Sequence, residues 1–476
     1  MKLNRTVRGT GPAPVRLAGG VGAVADRTSK LNELYRTVLA CMLWENTYYE
    51  SGESVAERIA KLVPDVAPDK VAALAVAARG EAKLRSVPLF LAREMARYDV
   101  SKPYVADTLS KVIQRADELS EFLALYWKDK KQPLAAQVKK GLARAFTKFD
   151  EYALSKYNRD NKIKLRDVLF LCHAKPIDKA QEKLWKRLID DKLKTADTWE
   201  VALSATQGDT ENKKEAWERL LSENKLGALA LLRNLRNFEQ TGVDRDLVRT
   251  ALKRCKTDRV LPFRFITAVN HAPRWQAELE DLMLRAVEGK KLLKGKTVVA
   301  IDVSGSMGGR LSGKTEMSRM ECAASLCILL RELCEEVVFY ATAGQDGACI
   351  HKAELVRPHR GFALRDAILQ AANRLGGGGI FLKKVMDYMR NAEKRADRVI
   401  VITDEADTDN KANPQTADAW GKRNYIINIS VEKGGIAFKK FNHINGFSES
   451  VIDYLGAIEI LEETGDFAQA LSLFKQ

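Results

Sequence analysis

Thr297-Val298-Val299-Ala300-Ile301-Asp302-Val303-Ser304-Gly305-Ser306-Met307 is where the chain changes from one kind of structure to another. Its first five residues form a short continuous apolar run, the pattern of a strand buried on both faces of a parallel sheet. Downstream, a helix is expected over Glu316–Glu336 and a strand over Val337–Ala341. Helices follow over Phe362–Leu375 and Leu382–Arg395, then strands over Val399–Thr403 and Tyr425–Ser430 with a helical stretch around Ala417–Arg423 between them. A last helix is expected over Phe467–Phe474. Strand–helix alternation of this kind defines a doubly wound α/β unit, expected over residues 295–476.

Upstream, apolar residues recur at helical spacing, as in Leu31, Leu34, Tyr35, Val38, Leu39 and Leu43. Further helices are expected over Val71–Ala78, Leu89–Met95, Tyr104–Leu119, Leu134–Phe149, Ala180–Ile189, Trp199–Ser204, Trp217–Leu235 and Trp275–Val287. Breaks fall at Pro64, Pro68, Pro88, Pro103, Pro133 and Pro176. Short helices joined by brief turns read as an α-helical HEAT-like solenoid over residues 26–290, preceded by an N-terminal arm over 1–25. Lys290, Lys291, Lys294 and Lys296 mark an exposed linker into the α/β unit.

Charge follows the same division. Residues 1–300 carry 56 Lys and Arg against 39 Asp and Glu, while residues 301–476 carry 22 against 24. The densest segment, 131–190, holds 15 basic and 7 acidic residues. A localised positive field favours a polyanion, because neutralising phosphates releases condensed counterions, although basic helix faces are often simply solvated. Seven scattered cysteines without a CxxC pair, no charged-then-apolar leader and no apolar run near the roughly 18 residues of a membrane span point to a reduced, cytoplasmic protein.

The loop after the first strand holds Asp302, Ser304 and Ser306, and a later strand ends in Thr403-Asp404. Ligands of open α/β sheets gather at the carboxyl ends of strands. One carboxylate and two hydroxyls converging there are hard oxygen donors, suited to Mg²⁺ or another divalent cation, with Asp404 joining directly or through water. The bland alternative is that the serines cap the following turn and Asp302 bonds locally. The set resembles the metal-ion-dependent adhesion site of von Willebrand factor A domains. That family places a Thr in an intervening loop. Here the loop reads Gly376-Gly377-Gly378-Gly379-Ile380-Phe381, so Ile380 stands at the Thr position and occupancy by a cation becomes an open point.

Shorter motifs in the first half also resemble a known family. Asn46-Thr47-Tyr48-Tyr49, Lys156-Tyr157, Leu169-Phe170-Leu171-Cys172-His173-Ala174-Lys175-Pro176, Leu231-Leu232-Arg233-Asn234-Leu235 and Leu261-Pro262-Phe263 occur in the order seen in Ro (TROVE-module) proteins. Together with an A-type domain behind them, they make the chain similar to a bacterial-type Ro relative. The resemblance implies a ring of HEAT-like helix pairs closed by the A domain. It implies binding of Y-like structured RNA and of single-stranded 3′ ends of misfolded RNA in RNA quality control. It also implies a monomer, no membrane, and an exoribonuclease as a partner.

Carried over by position, Lys140, Arg144, Lys156, His173 and Lys175 would touch RNA, the basic residues on phosphates and His173 on a base edge or by stacking. Read alone, His173 serves equally as a core histidine. Asp160 stands where a basic residue is expected, with Arg159 beside it. Arg233 would stabilise the helix stack or line the hole.

The rival reading is a protein-interaction scaffold whose A domain grips a partner through bound metal. An enzyme is not expected. Gly308-Gly309-Arg310-Leu311-Ser312-Gly313-Lys314-Thr315 fits the GxxxxGK[ST] phosphate loop, but such a loop springs straight from its strand and here the serine motif intervenes. The five histidines are scattered without HExxH spacing, and there is no GxSxG elbow. The acidic run Asp404, Glu405, Asp407, Asp409 reads as a solvated loop rather than a two-metal nuclease centre.

Overall fold

The structure is a computed structural model. It describes residues 30–40, 52–158, 162–206, 208–257, 260, 263–290, 293–311, 317–345, 350–404, 421–429, 441–445, 451–464 and 469–470. Among these, sixteen α-helices run from Lys30–Ala40 to Gln276–Val287, with no strand between them. The expected helices at Val71–Ala78, Leu89–Met95, Ala180–Ile189, Trp199–Ser204 and Trp275–Val287 all fall on observed ones.

Two long helices expected from the sequence are each two helices. Tyr104–Leu119 divides into Lys102–Val112 and Asp117–Tyr126. Ile113 leaves the helix at φ −77°, ψ 107°. The turn is then fixed by Glu118, whose Oε2 accepts the backbone N–H groups of Gln114 and Arg115 at 2.8 and 3.0 Å. Trp217–Leu235 divides into Thr210–Ser222 and Ala228–Gln240 around Asn224, which adopts φ +52°. Apolar periodicity persisted through both turns because both flanking helices bury the same side.

The α/β unit is a six-stranded sheet among the described residues. Its strands are β1 (Leu293–Asp302), β2 (Cys334–Gln345), β3 (Ile350–Leu355), β4 (Arg398–Thr403), β5 (Arg423–Asn428) and β6 (Asn442–Asn445). They lie in the order β3-β2-β1-β4-β5-β6, all parallel except β3, which runs antiparallel to β2 at the edge. β1 sends Val298 and Ala300 into one core and Val299 and Ile301 into the other, so both faces are covered, as its unbroken apolar run requires. The order reverses between β1 and β4, which places the crevice for a ligand at their carboxyl ends. β3, β6 and the Val451–Thr464 helix were not anticipated, and the helices expected at Ala417–Arg423 and Phe467–Phe474 lie mostly outside the described residues.

Both ends of the helical array dock on this unit. The first helix, Lys30–Ala40, packs against the Val451–Thr464 helix and reaches β6. The last, Gln276–Val287, packs against the Arg319–Leu333 and Gly361–Leu375 helices. There the Phe362 N–H donates to Glu280 Oε1 at 3.2 Å, and Gly361 takes φ +59° so that no Cβ meets that carboxylate. The α/β unit thus closes the array into a ring. No helix among the described residues is long and apolar enough to cross a membrane.

The glycine run after the Gly361–Leu375 helix answers a steric demand. Gly376 and Gly377 take φ +87° and +70°, and a Cβ on Gly378 would fall 2.1 Å from the Gly344 carbonyl oxygen. Reciprocally, a Cβ on Gly344 would lie 2.3 Å from Phe381 Cε2 and 2.7 Å from the Gly379 oxygen. Gly344→Ala is therefore expected to destabilise the α/β unit by about 1–3 kcal/mol through overpacking. Urea unfolding should show a lower midpoint at unchanged slope. An unchanged midpoint would mean that the loop is not seated as described.

Candidate functional site

Two helices build the basic surface that the sequence placed around residues 140–175. Ala136–Phe146 crosses Lys102–Val112 closely at Gly141, where a Cβ would lie 2.9 Å from Leu109 Cβ and 3.0 Å from the Ala106 oxygen. That crossing buries Val138, Leu142, Ala145 and Phe146 and leaves Lys140 and Arg144 exposed one turn apart. Leu165–Cys172 packs beside it and buries Leu165, Val168, Leu169 and Cys172. It ends at His173, which takes the left-handed conformation at φ +53°. The His173 and Ala174 N–H groups donate to the Phe170 and Leu169 carbonyls at 3.2 and 3.3 Å.

This cap turns His173 to solvent, so it is not a core histidine. It also leaves Phe170 58% and Leu171 37% exposed. Between the two helices and the loop after Tyr126 lies a cleft of about 710 Å³, lined by Trp127, Lys131, Lys139, Lys162, Phe170 and His173 among others. Lys131 sits 5.5 Å from the Trp127 ring, whose Nε1 donates to the Gln132 oxygen at 2.7 Å. Lys131, Lys139 and Lys162 make no ion pair among the described residues.

Of the five residues expected to touch RNA, only His173 lines this cleft. Lys140, Arg144 and Lys175 are exposed nearby in the chain but outside its lining. Lys156 is half-buried, its ammonium 5.6 Å from the Tyr152 ring and 5.8 Å from that of Tyr157. Arg159, Asp160, Tyr48 and Tyr49 lie outside the described residues. Trp127, Lys131, Lys139, Lys162 and Phe170 were missed. Phe170 carried a legible signal: it is a large apolar side chain off the i, i+3, i+4, i+7 stripe of its own helix.

A second cleft, of about 640 Å³, opens between the Ala228–Gln240 and Phe263–His271 helices. Arg233, Arg236, Asn237, Arg264 and His271 line it. All five are exposed, and none of the three arginines is ion-paired among the described residues. Elsewhere most arginines of the array are neutralised, as Arg79, Arg85, Arg187 and Arg219 are by Glu118, Asp117, Glu151 and Asp197.

At the carboxyl ends of β1 and β4, Asp302, Ser304, Thr403 and Asp404 are buried together. Ile301 pairs with Ile402 in register, so the two strand ends fall side by side. Asp302 Oδ1 accepts the Ser304 N–H at 2.9 Å and Oδ2 accepts the Thr403 hydroxyl at 2.7 Å. Burial first, and then the Asp404 carboxylate, raise the Asp302 carboxyl to about 7. The Ser304 and Ser306 hydroxyls stand 3.1 Å apart. That separation matches neighbouring vertices of an octahedron with ligands at about 2.1 Å.

The rest of the donor set departs from the A-type pattern. Ile380 is wholly buried in the core with Val298, Ala300 and Leu382, and offers no oxygen. Arg319 Nη1 donates to Asp404 Oδ2 at 2.9 Å and lies 3.4 Å from the Ser306 carbonyl oxygen. The GxxxxGK[ST] match does not form a phosphate cradle off β1: a short 3₁₀ turn, Gly305–Gly308, separates the strand from it, and Ser312–Thr315 lie outside the described residues.

A ring of helices closed by a doubly wound α/β unit is the architecture implied by the family resemblance. The TROVE domain matches residues 27–190 and 186–373, and the chain belongs to the TROVE-domain family. Its fold is shared by the Ro (RSR) protein of Deinococcus radiodurans, at a TM-score of 0.59 and 18% identity over 90% of this chain and 93% of that one. Over 96 residues it is 36% identical to telomerase protein component 1 of Mus musculus and of Rattus norvegicus. That stretch is 19% of this chain and only 4% of either relative.

Proposed function

We propose that this chain is a non-catalytic RNA-binding protein whose principal contact is the Trp127–Phe170–His173 cleft. The cleft itself carries the reading: unneutralised lysines surround the exposed Phe170 and His173 rings, with the half-buried Trp127 beside them. Lysines contact phosphates without reading sequence, and aromatic faces stack on unpaired bases. Membership of an RNA-binding family supports the same conclusion. The arginine cleft at Arg233, Arg236 and Arg264 supplies a second set of phosphate contacts. The RNA that suits both clefts is a small structured RNA with an unpaired 3′ tail, in a quality-control or processing role beside an exoribonuclease.

Filter binding of the full chain to a labelled hairpin carrying a single-stranded 3′ tail tests this. With about four phosphate contacts, affinity should fall roughly 50- to 150-fold between about 50 and 200 mM salt. Phe170→Ser should weaken binding by about 1–3 kcal/mol, or roughly 5- to 150-fold, without altering the salt slope. Lys139→Ala together with Lys162→Ala should flatten that slope by about 2. Salt-independent binding, or wild-type affinity in Phe170→Ser, would refute the proposal. A protein partner captured equally well after RNase treatment, with no RNA bound, would favour a scaffold instead.

A further inference from the structure

We infer that the carboxylate–serine site carries its own cation, the Arg319 guanidinium, and works as a metal-independent staple joining β4 to the loop after β1. Arg319 opens the Arg319–Leu333 helix, and its backbone N–H donates to the Gly309 carbonyl at 2.9 Å. This fixes the side chain over the loop, where Nη1 meets Asp404 Oδ2 at 2.9 Å. Both groups are out of solvent, with side chains 10% and 1% exposed. The guanidinium lies against the loop: a Cβ on Gly309 would come within 3.3 Å of the Ser306 oxygen and make ordinary contact, at 3.6 Å, with Arg319 Cζ.

A divalent ion held by Asp302, Ser304 and Ser306 would meet a positive charge already paired to the neighbouring Asp404 carboxylate. Among the described residues, the other side-chain oxygens of the site are those of Asp302, Ser304, Ser306 and Thr403. Each Asp302 oxygen already accepts a hydrogen bond from within the site. Ile380, which stands at the Thr position of the A-type sequence pattern, is fully buried and its side chain offers no oxygen. One internal cation balances the buried Asp404 and ties two strand-end loops together.

Mn²⁺ titration of the full chain, read by electron paramagnetic resonance, and thermal melting test the inference together. The wild type should show no saturable Mn²⁺ site in the millimolar range, and its melting temperature should not respond to Mg²⁺ or EDTA. Arg319→Met, which leaves Asp404 buried and unpaired, should melt about 5–10 °C lower. Arg319→Lys should recover part of that loss. Arg319→Met with Ile380→Thr should gain one Mn²⁺ site and regain stability when Mn²⁺ is added. One stoichiometric Mn²⁺ bound by the wild type and lost in Asp302→Asn overturns the inference. So does an Arg319→Met chain that melts like the wild type, or a folded double variant that takes up no Mn²⁺.

Discussion

Glu459→Ala is expected to lower stability by about 3–5 kcal/mol, because it strands a buried guanidinium. Arg398, the first residue of β4, is 1% exposed and grips Glu459 through Nε and Nη2. Its Nη1 donates to the Thr297 hydroxyl on β1 at 2.8 Å. Glu459 also takes Arg423 Nη1 at 3.1 Å and the Tyr425 hydroxyl at 3.1 Å, both from β5. One carboxylate on the Val451–Thr464 helix thus satisfies three donors rooted in two strands, and that helix is also where the first helix of the array docks. Chemical denaturation measures the loss directly. Glu459→Gln, which keeps the shape and one acceptor, should lose less than Glu459→Ala. A loss below about 1 kcal/mol for the alanine variant would place this pair among exposed ones, against its burial.

In the helical array the corresponding variant is Glu118→Ala, again with an expected loss of about 3–5 kcal/mol. Glu118 is wholly buried and accepts Arg79 Nη2 at 2.6 Å, while Arg79 Nε donates to the Val112 oxygen at 3.0 Å. Its other oxygen is the acceptor for the two N–H groups of the turn at Gln114 and Arg115. Alanine therefore abandons a guanidinium and two backbone donors at once. Because Lys102–Val112 seats the helix that carries Lys139 and Lys140, RNA affinity should fall with stability. The paired replacement Arg79→Met with Glu118→Leu should recover much of the guanidinium term, since apolar residues of similar volume often substitute for a buried ion pair without loss. The turn donors would remain unmet, so recovery should be partial. A double variant as unstable as Glu118→Ala alone would assign the whole effect to the turn.

The α/β unit was legible because its signals are local. The run Thr297–Ile301 reads as a two-face-buried strand, and helix residues such as Gly361–Leu375 and Leu382–Ala392 were placed to within a few positions. Edge strand β3 was not legible: its burial alternates only weakly, since an antiparallel edge strand needs no continuous apolar run. The two merged helices show the limit of periodicity, which sees a face but not a turn held by one buried carboxylate. Asp302, Ser304, Ser306 and Asp404 were assigned to two strand ends, and the structure sets those ends side by side. Arg319 was not anticipated, because nothing in a sequence says that a residue at a helix start folds back onto a carboxylate 85 positions away. At the basic surface the sequence and the packing single out neighbouring residues. Charge and motif pointed to Lys140, whereas the packing of Leu165–Cys172 against Ala136–Phe146 turns Lys139 into the cleft.

The two joints of the ring are unequal. Gln276–Val287 runs on into β1 within a few residues, so that joint is riveted by the chain itself. Lys30–Ala40 meets Val451–Thr464 and β6 through non-covalent contact, across most of the length of the sequence. Mechanically the molecule is a bracelet with one soldered end and one clasp. Tension in the array is expected to be released at the clasp first. Reclosing it carries the loop-closure entropy of the whole intervening chain, which grows only slowly with length.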